Sequence, residues 1–170
     1  SMDLIDSFAA DAQYALNKIT TDEYENLIES SCPSAGSCAG LFTANSMACM
    51  AEALGLTVPG MSTTPAMDNK KFRLALQSGR VIVDLIRKKI TSRMILTKEA
   101  FYNALTVDMA IGASSNTVLH VPAIAREAGF EFNLDDINLL SQKTPNIMKL
   151  SPASNQYITD LDKVGGMPLI

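Results

Sequence analysis

The chain has 170 residues, no tryptophan, a single histidine and three cysteines. An odd cysteine count this low is not a disulfide framework, and it fits a reducing, cytosol-like compartment, either cytoplasm or an organelle stroma or matrix. Aromatics make up 6% of residues while methionine occurs nine times, so the core is expected to be aliphatic and adaptable. No basic block occurs and the net charge is −4, which leaves no electrostatic footprint for nucleic acid. No run of about 18 apolar residues exists, so no membrane span or membrane partner is expected. The start, Ser1-Met2-Asp3, is polar and acidic rather than a signal peptide, and Ser1-Met2 reads as an expression-tag remnant. Internal repeats and low-complexity segments are also lacking.

What is present suits one globular unit: 47% apolar and 19% charged residues, at a length that can bury a real core. Helical spacing runs through most of it. Leu4, Ile5, Phe8, Ala12 and Leu16 mark a helix over residues 3–18. Thr20 and Glu23 have capping-box spacing ahead of Tyr24, Leu27 and Ile28, with an end near Ser31. Thr43 to Leu54 follows, with Gly55 as its C′ residue. Val58 to Pro65 holds two prolines and a glycine and is a loop. Lys70 to Lys89 is strongly amphipathic, with a basic end at Arg87-Lys88-Lys89 that suits the helix dipole. Thr97 caps Lys98–Ile111, Gly112 to Asn116 interrupts, Thr117–Ala128 resumes, and Asn133 caps Leu134–Gln142 with Asp135 and Asp136 in its first turn. Asn146 to Leu150 reads as a short strand, and Thr159 to Val164 as a last helical turn. The fold class is mainly α, with about seven helices and one or two short strands.

One stretch has nothing to do with filling a core: Cys32-Pro33-Ser34-Ala35-Gly36-Ser37-Cys38-Ala39-Gly40, leading into Leu41-Phe42-Thr43-Ala44-Asn45-Ser46-Met47. Small residues let backbone amides approach a ligand closely. The helix that follows presents unpaired N–H groups and a positive dipole end, and thiolates suit a soft metal centre. Structural zinc sites favour cysteine pairs two to four residues apart with a second pair later. Here Cys32 and Cys38 are separated by five residues, no second pair follows, and His120 is the only histidine. A nucleophilic cysteine would need His120 brought to it as a base. The competing reading makes both thiols small packed residues, and Cys49, within an Ala/Met helix, is read that way. His120, between Leu119 and Val121, reads first as a structural helix residue. The bend Ser114-Ser115-Asn116 is either a ligand-facing loop or a plain helix–helix turn. Arg87 to Lys89 reads as a solvated helix end.

The sixteen residues Cys32 to Met47 resemble the signature of dihydroxyacid dehydratases. Further stretches follow the same family in order: Glu52 to Leu56, Val58 to Gly60, Ile95 to Thr97 with Ala100-Phe101, Gly112 to Asn116 with Val118 to His120, Ala123 to Gly129, and Asp160 to Asp162 with Gly165 to Pro168. The wider family includes phosphogluconate and sugar-acid dehydratases, whose pattern after the first cysteine differs.

The resemblance implies a hydro-lyase of valine and isoleucine biosynthesis that converts 2,3-dihydroxy-3-methyl acids to 2-keto acids. It implies an iron–sulfur cluster, [2Fe-2S] or [4Fe-4S], acting as Lewis acid, with Mg2+ holding substrate oxygens, in a homodimer. By position Cys32 matches the cluster ligand, with Cys38 second. Ser34, Gly36 and Ser37 are expected to face cluster or substrate, and Ser114, Ser115, Asn116 and His120 to line the site. Complete members are much longer and have two domains. This chain is expected to be a piece of their α/β N-terminal domain, without the other cluster cysteines, the magnesium ligands or the serine base. Alone it is therefore expected to bind no cofactor and to be inactive, with no catalytic residue of its own. A non-catalytic helical interaction module is the alternative from another class.

Overall fold

The computed structural model describes residues 3–32 and 34–170. Ser1, Met2 and Pro33 lie outside the described residues, and so does the reading of the first two as a tag remnant. The chain is mainly helical, in order α1 (Leu4–Ala15), α2 (Thr21–Ser30), α3 (Thr43–Ala53), α4 (Asn69–Arg87), α5 (Ser92–Ile95), α6 (Lys98–Ile111), α7 (Asn116–Ala128), α8 (Leu134–Lys143) and α9 (Ile158–Val164), followed by a 3₁₀ turn at Met167–Leu169.

The helix boundaries follow from local chemistry. Asp3 caps α1 and shares a capping box with Asp6; the helix stops at Ala15, and Asn17 turns the chain at φ +53°. Thr20 accepts the Glu23 amide while Glu23 accepts the Thr20 amide, the expected reciprocal pair. Asn133 and Asp136 repeat that box at α8. Gly112 and Gly129 close α6 and α7 in the left-handed region, at φ +64° and +92°.

The core lies where α6 packs on α3, α7 and α8. Phe101, Met50, Leu54, Leu105, Ile111 and Val121 are its largest fully buried side chains, and burial of such a group contributes about 1.5–3 kcal/mol each. Phe130 and Phe132 pack tilted against Phe101. Two acids tie the non-helical stretch after α3 to this core. Glu52 accepts the amides of Gly60 and Ser62 and the Ser62 hydroxyl at 2.6–3.0 Å. Asp162 of α9 accepts from Thr63, Thr64 and the Lys70 ammonium.

The expected strand at residues 146–150 does not form; the segment is irregular, without ladder pairing. Its polar groups are used elsewhere. The Ile147 amide and the Asn146 side-chain amide both donate to the Ala110 carbonyl, at 2.9 and 3.1 Å. That carbonyl sits in the last turn of α6 and has no helical partner, so the segment serves as a cap. α5 has no counterpart in the sequence pattern, because four residues are too few to show a period. α4 forms as expected, but only Leu74 of it is buried. Phe72, Leu76 and Ile86 are 65%, 61% and 69% exposed, so its apolar face lacks a partner among the described residues. No helix of the described residues is long and apolar enough to cross a membrane.

Candidate functional site

Three independent anchors hold the cysteine loop. The first comes from α3. Asn45 is buried, and its side-chain N–H groups donate to the carbonyls of Cys38 and Gly40, both at 2.6 Å, while its oxygen accepts the Ser37 hydroxyl at 2.8 Å. The second comes from the segment before α9: the Leu41 amide donates to the Ser151 carbonyl at 2.6 Å, and the Ile158 amide to the Ala39 carbonyl at 3.0 Å. Gly40 makes this approach possible, because a Cβ there would lie 2.8 Å from the Phe42 ring and 2.9 Å from the Ser151 carbonyl oxygen. The third is at the loop tip, where Gly36, at φ +117°, leaves no room for a Cβ against Ala66.

Within this frame Cys32 is exposed, Cys38 half-buried and Cys49 fully buried, and all three are free thiols. Cys32 sits at φ +50°, a left-handed conformation that disfavours a residue with a Cβ. Burial pushes the Cys49 thiol up to about 12, against the opposing hydrogen bond with Ser62, so in the metal-free chain it is a neutral thiol packed in the core. This agrees with its reading as a core residue. No side chain caps α3 at Phe42, so its first-turn amides keep their positive end beside the loop.

The Gly112–Asn116 bend is joined to this region. The Ser114 amide donates to the Ser46 hydroxyl at 3.0 Å, and the Ser46 hydroxyl donates to the Leu41 carbonyl at 3.3 Å. Ser114 and Ser115 line a cleft of about 490 Å³ with Asp108, Thr117, Asn146 and Lys149, whereas Cys32 and Cys38 are not part of its lining. A larger cleft of about 570 Å³, between α4 and residues 55–59, is mostly apolar and holds none of the expected site residues. The cleft beside the bend brings hydroxyl, amide and charged groups together along a largely apolar wall. Asn116 donates to the Ser114 hydroxyl. His120 lies one turn further along α7, half-buried, and no hydrogen bond ties it to the cysteine loop. Ser34, Gly36 and Ser37 are exposed; Ser37 is turned to Asn45 and Gly36 to Ala66.

Sequence reasoning did not single out Asn45, Ser46, Asp108 or Ser151. Each acts through a partner 5 to 110 positions away, and nothing in local spacing marks such a pair. Asp108 alone left a trace, as the only acid among the apolar residues Val107 to Ile111. Among the described residues no group of three or more His, Cys, Asp or Glu is placed to hold a metal ion.

The family model for the dihydroxy-acid/6-phosphogluconate dehydratase N-terminal region matches residues 1–170. The chain is 49% identical over 165 residues to a dihydroxy-acid dehydratase of Thermodesulfovibrio yellowstonii, covering 97% of this chain and 30% of that protein. It is 51% identical over 168 residues to that of Caldicellulosiruptor saccharolyticus, covering 99% and 30%, and 48% identical over 170 residues to that of Solidesulfovibrio magneticus, covering 100% and 30%. The chain thus spans about 30% of the length of the curated relatives it matches. It belongs to the dihydroxy-acid/6-phosphogluconate dehydratase family.

Proposed function

We propose that this chain supplies one cysteine ligand and the supporting scaffold of a dihydroxy-acid dehydratase site, and that Cys32 is that ligand. The observation that carries the reading is the state of Cys32: an exposed free thiol, held at φ +50° in a loop anchored by Asn45, Ser151 and Gly36. An iron–sulfur cluster, when bound, supplies a cationic iron that assists a poor hydroxide leaving group.

The donor set fits a contributor to such a cluster and does not fit a complete holder. Cys32 is accessible, Cys38 is half-shielded in second place, and Cys49 is fully buried in the core. The chain's own residues then have three tasks. Cys32 offers its sulfur. Asn45 fixes the carbonyls of Cys38 and Gly40 so that the loop keeps its shape. The uncapped start of α3 places amides beside an anionic group, and the Ser114–Asn116 bend offers hydroxyls and amides to substrate oxygens. The substrate class is a 2,3-dihydroxy-3-methyl acid, dehydrated to a 2-keto acid with Mg2+ held by residues outside this chain, in a homodimer. Three free cysteines fit a reducing compartment, cytoplasm or organelle. The names of the relatives favour this substrate over phosphogluconate or a sugar acid.

The test is Cys32→Ser in a full-length protein containing this sequence. Iron content and turnover are both expected to collapse; iron and activity retained at parent levels would remove the assignment. The 170-residue chain, reconstituted anaerobically with iron and sulfide, is expected to show no dehydration, and measurable turnover would refute the view that it is one contributor among several. The open apolar face of α4 favours a second reading, an interaction module without catalysis. An open reading frame that ends near Ile170 would support it, and one that adds a cysteine-bearing segment upstream would not.

A further inference from the structure

Asp108 of α6 is 3% exposed, and its Oδ1 has no hydrogen-bond partner. Its Oδ2 lies 2.9 Å from the Thr117 hydroxyl. That hydroxyl, itself 1% exposed, also lies 2.8 Å from the Ser114 carbonyl oxygen. A hydroxyl carries one proton. If Asp108 is a carboxylate, Thr117 must give that proton to Oδ2, and its contact with Ser114 becomes two acceptors facing each other. A full charge is then buried with one hydrogen bond, and among the described residues no cation pairs with it. If Oδ2 carries a proton, Asp108 donates to Thr117 and Thr117 donates to Ser114. Both short contacts are then satisfied and no charge is buried.

The direction of the acid's titration agrees with that proton count. Burial is the main cause and pushes the carboxyl up to about 6, against the opposing Thr117 hydrogen bond. No charged group is among its causes. The titratable neighbour on α3, the Cys49 thiol, is pushed up chiefly by its own burial, and Lys149, which lines the same cleft, makes no ion pair with Asp108.

The connection continues past Ser114. Its amide donates to Ser46, and Ser46 donates to the Leu41 carbonyl at the exit of the cysteine loop. We propose that Asp108 is a positioning residue whose protonated form, through Oδ2–H, starts a relay over Thr117, Ser114 and Ser46 that keeps the Ser114–Asn116 bend in register with the cysteine loop. The relay is independent of the iron–sulfur reading. All its readouts are taken on the metal-free chain, so failure of one leaves the other standing.

The experiment follows the Asp108 side-chain carboxyl by carbon NMR against pH, together with hydrogen exchange of the Ser114 amide. The carboxyl is expected to titrate near or above 6, and Ser114 exchange, corrected for its intrinsic pH dependence, to accelerate about tenfold across the same midpoint. Asp108→Asn keeps a donor and removes the titration, so Ser114 should stay protected with no midpoint. Thr117→Val breaks the relay and should expose Ser114 at every pH, while Thr117→Ser should restore protection. Exchange at Leu105 reports whether each variant is folded. A carboxyl titrating near the ordinary 3.8, or a Ser114 amide indifferent to that midpoint and to Thr117→Val, would overturn the proposal.

Discussion

Asn45→Ala puts the anchoring of the cysteine loop to a direct test. The side chain makes three hydrogen bonds, two donated at 2.6 Å and one accepted at 2.8 Å, from a site only 4% exposed. At about 0.5–1.5 kcal/mol net for each, their loss costs about 2–4 kcal/mol. For a chain of this size each kcal/mol lowers Tm by roughly 2–4 °C, so a drop of about 5–15 °C is expected if loop and core melt together. If the loop opens alone, the loss shows locally instead. The three thiols separate the two cases, because Cys32 is exposed, Cys38 half-buried and Cys49 buried. Thiol labelling with peptide mass analysis then uses Cys32 as the chemical reference, Cys38 as the loop gauge and Cys49 as the gauge of global unfolding. A local loss of about 2 kcal/mol raises Cys38 labelling about 30-fold relative to Cys32, at 1.4 kcal/mol per factor of ten. Asn45→Asp should be worse than Asn45→Ala, since it sets a carboxylate against two carbonyls. Unchanged Cys38 and Cys49 labelling with an unchanged Tm in Asn45→Ala would refute the anchoring argument.

Two further predictions concern the frame around the site. Gly166→Ala places a Cβ 2.6 Å from Thr63 Oγ1 at φ +70°, and Thr63 is locked by its bond to Asp162; Gly129→Ala, at φ +92°, meets nothing within 4 Å. The second should cost only the left-handed penalty of about 1–2 kcal/mol and the first clearly more, so equal losses in urea unfolding would contradict the packing account. Burial alone would raise the Asp162 carboxyl, but Lys70, Thr63 and Thr64 outweigh it and hold it below the ordinary range. Its folded value is depressed, so its stabilisation is present above about pH 4 and is lost as the pH falls below that. The Tm gap between parent and Asp162→Asn should therefore narrow below about pH 4, and a gap that stays constant into strong acid would count against the pairing.

Local chemistry was legible where a feature lies within four residues of its partner. The Thr20–Glu23 and Asn133–Asp136 boxes, the Thr97 cap and the left-handed stops at Gly112 and Gly129 all form where spacing and residue type place them. Residues 146–150 misled because an apolar segment has the same pattern whether it pairs with a strand or caps a helix; only the Ala110 carbonyl decides, and it is 36 positions away from Asn146. The periodicity of α4 correctly gave a helix, yet periodicity records which face is apolar and not whether anything covers it. The cysteine loop was conspicuous by composition. The groups that shape it were hidden, because Asn45 reads as an ordinary helix residue until its bonds to Cys38 and Gly40 are seen.

The α1–α2 hairpin has a consequence of its own. It buries only Ala10, and it is held internally by the stacked Tyr14 and Tyr24 rings, 4.6 Å apart, and by the Tyr24–Asp11 hydrogen bond. Among the described residues its side-chain hydrogen bond to the remainder is the one from the Ser151 hydroxyl to Asp3. Such a unit is expected to open without taking the α3–α6–α7 core with it, which predicts unfolding in two steps rather than one. Calorimetric enthalpy should then exceed the van't Hoff value, and proteolysis should begin at the hairpin's junction near Ser31 while the core amides remain protected from exchange.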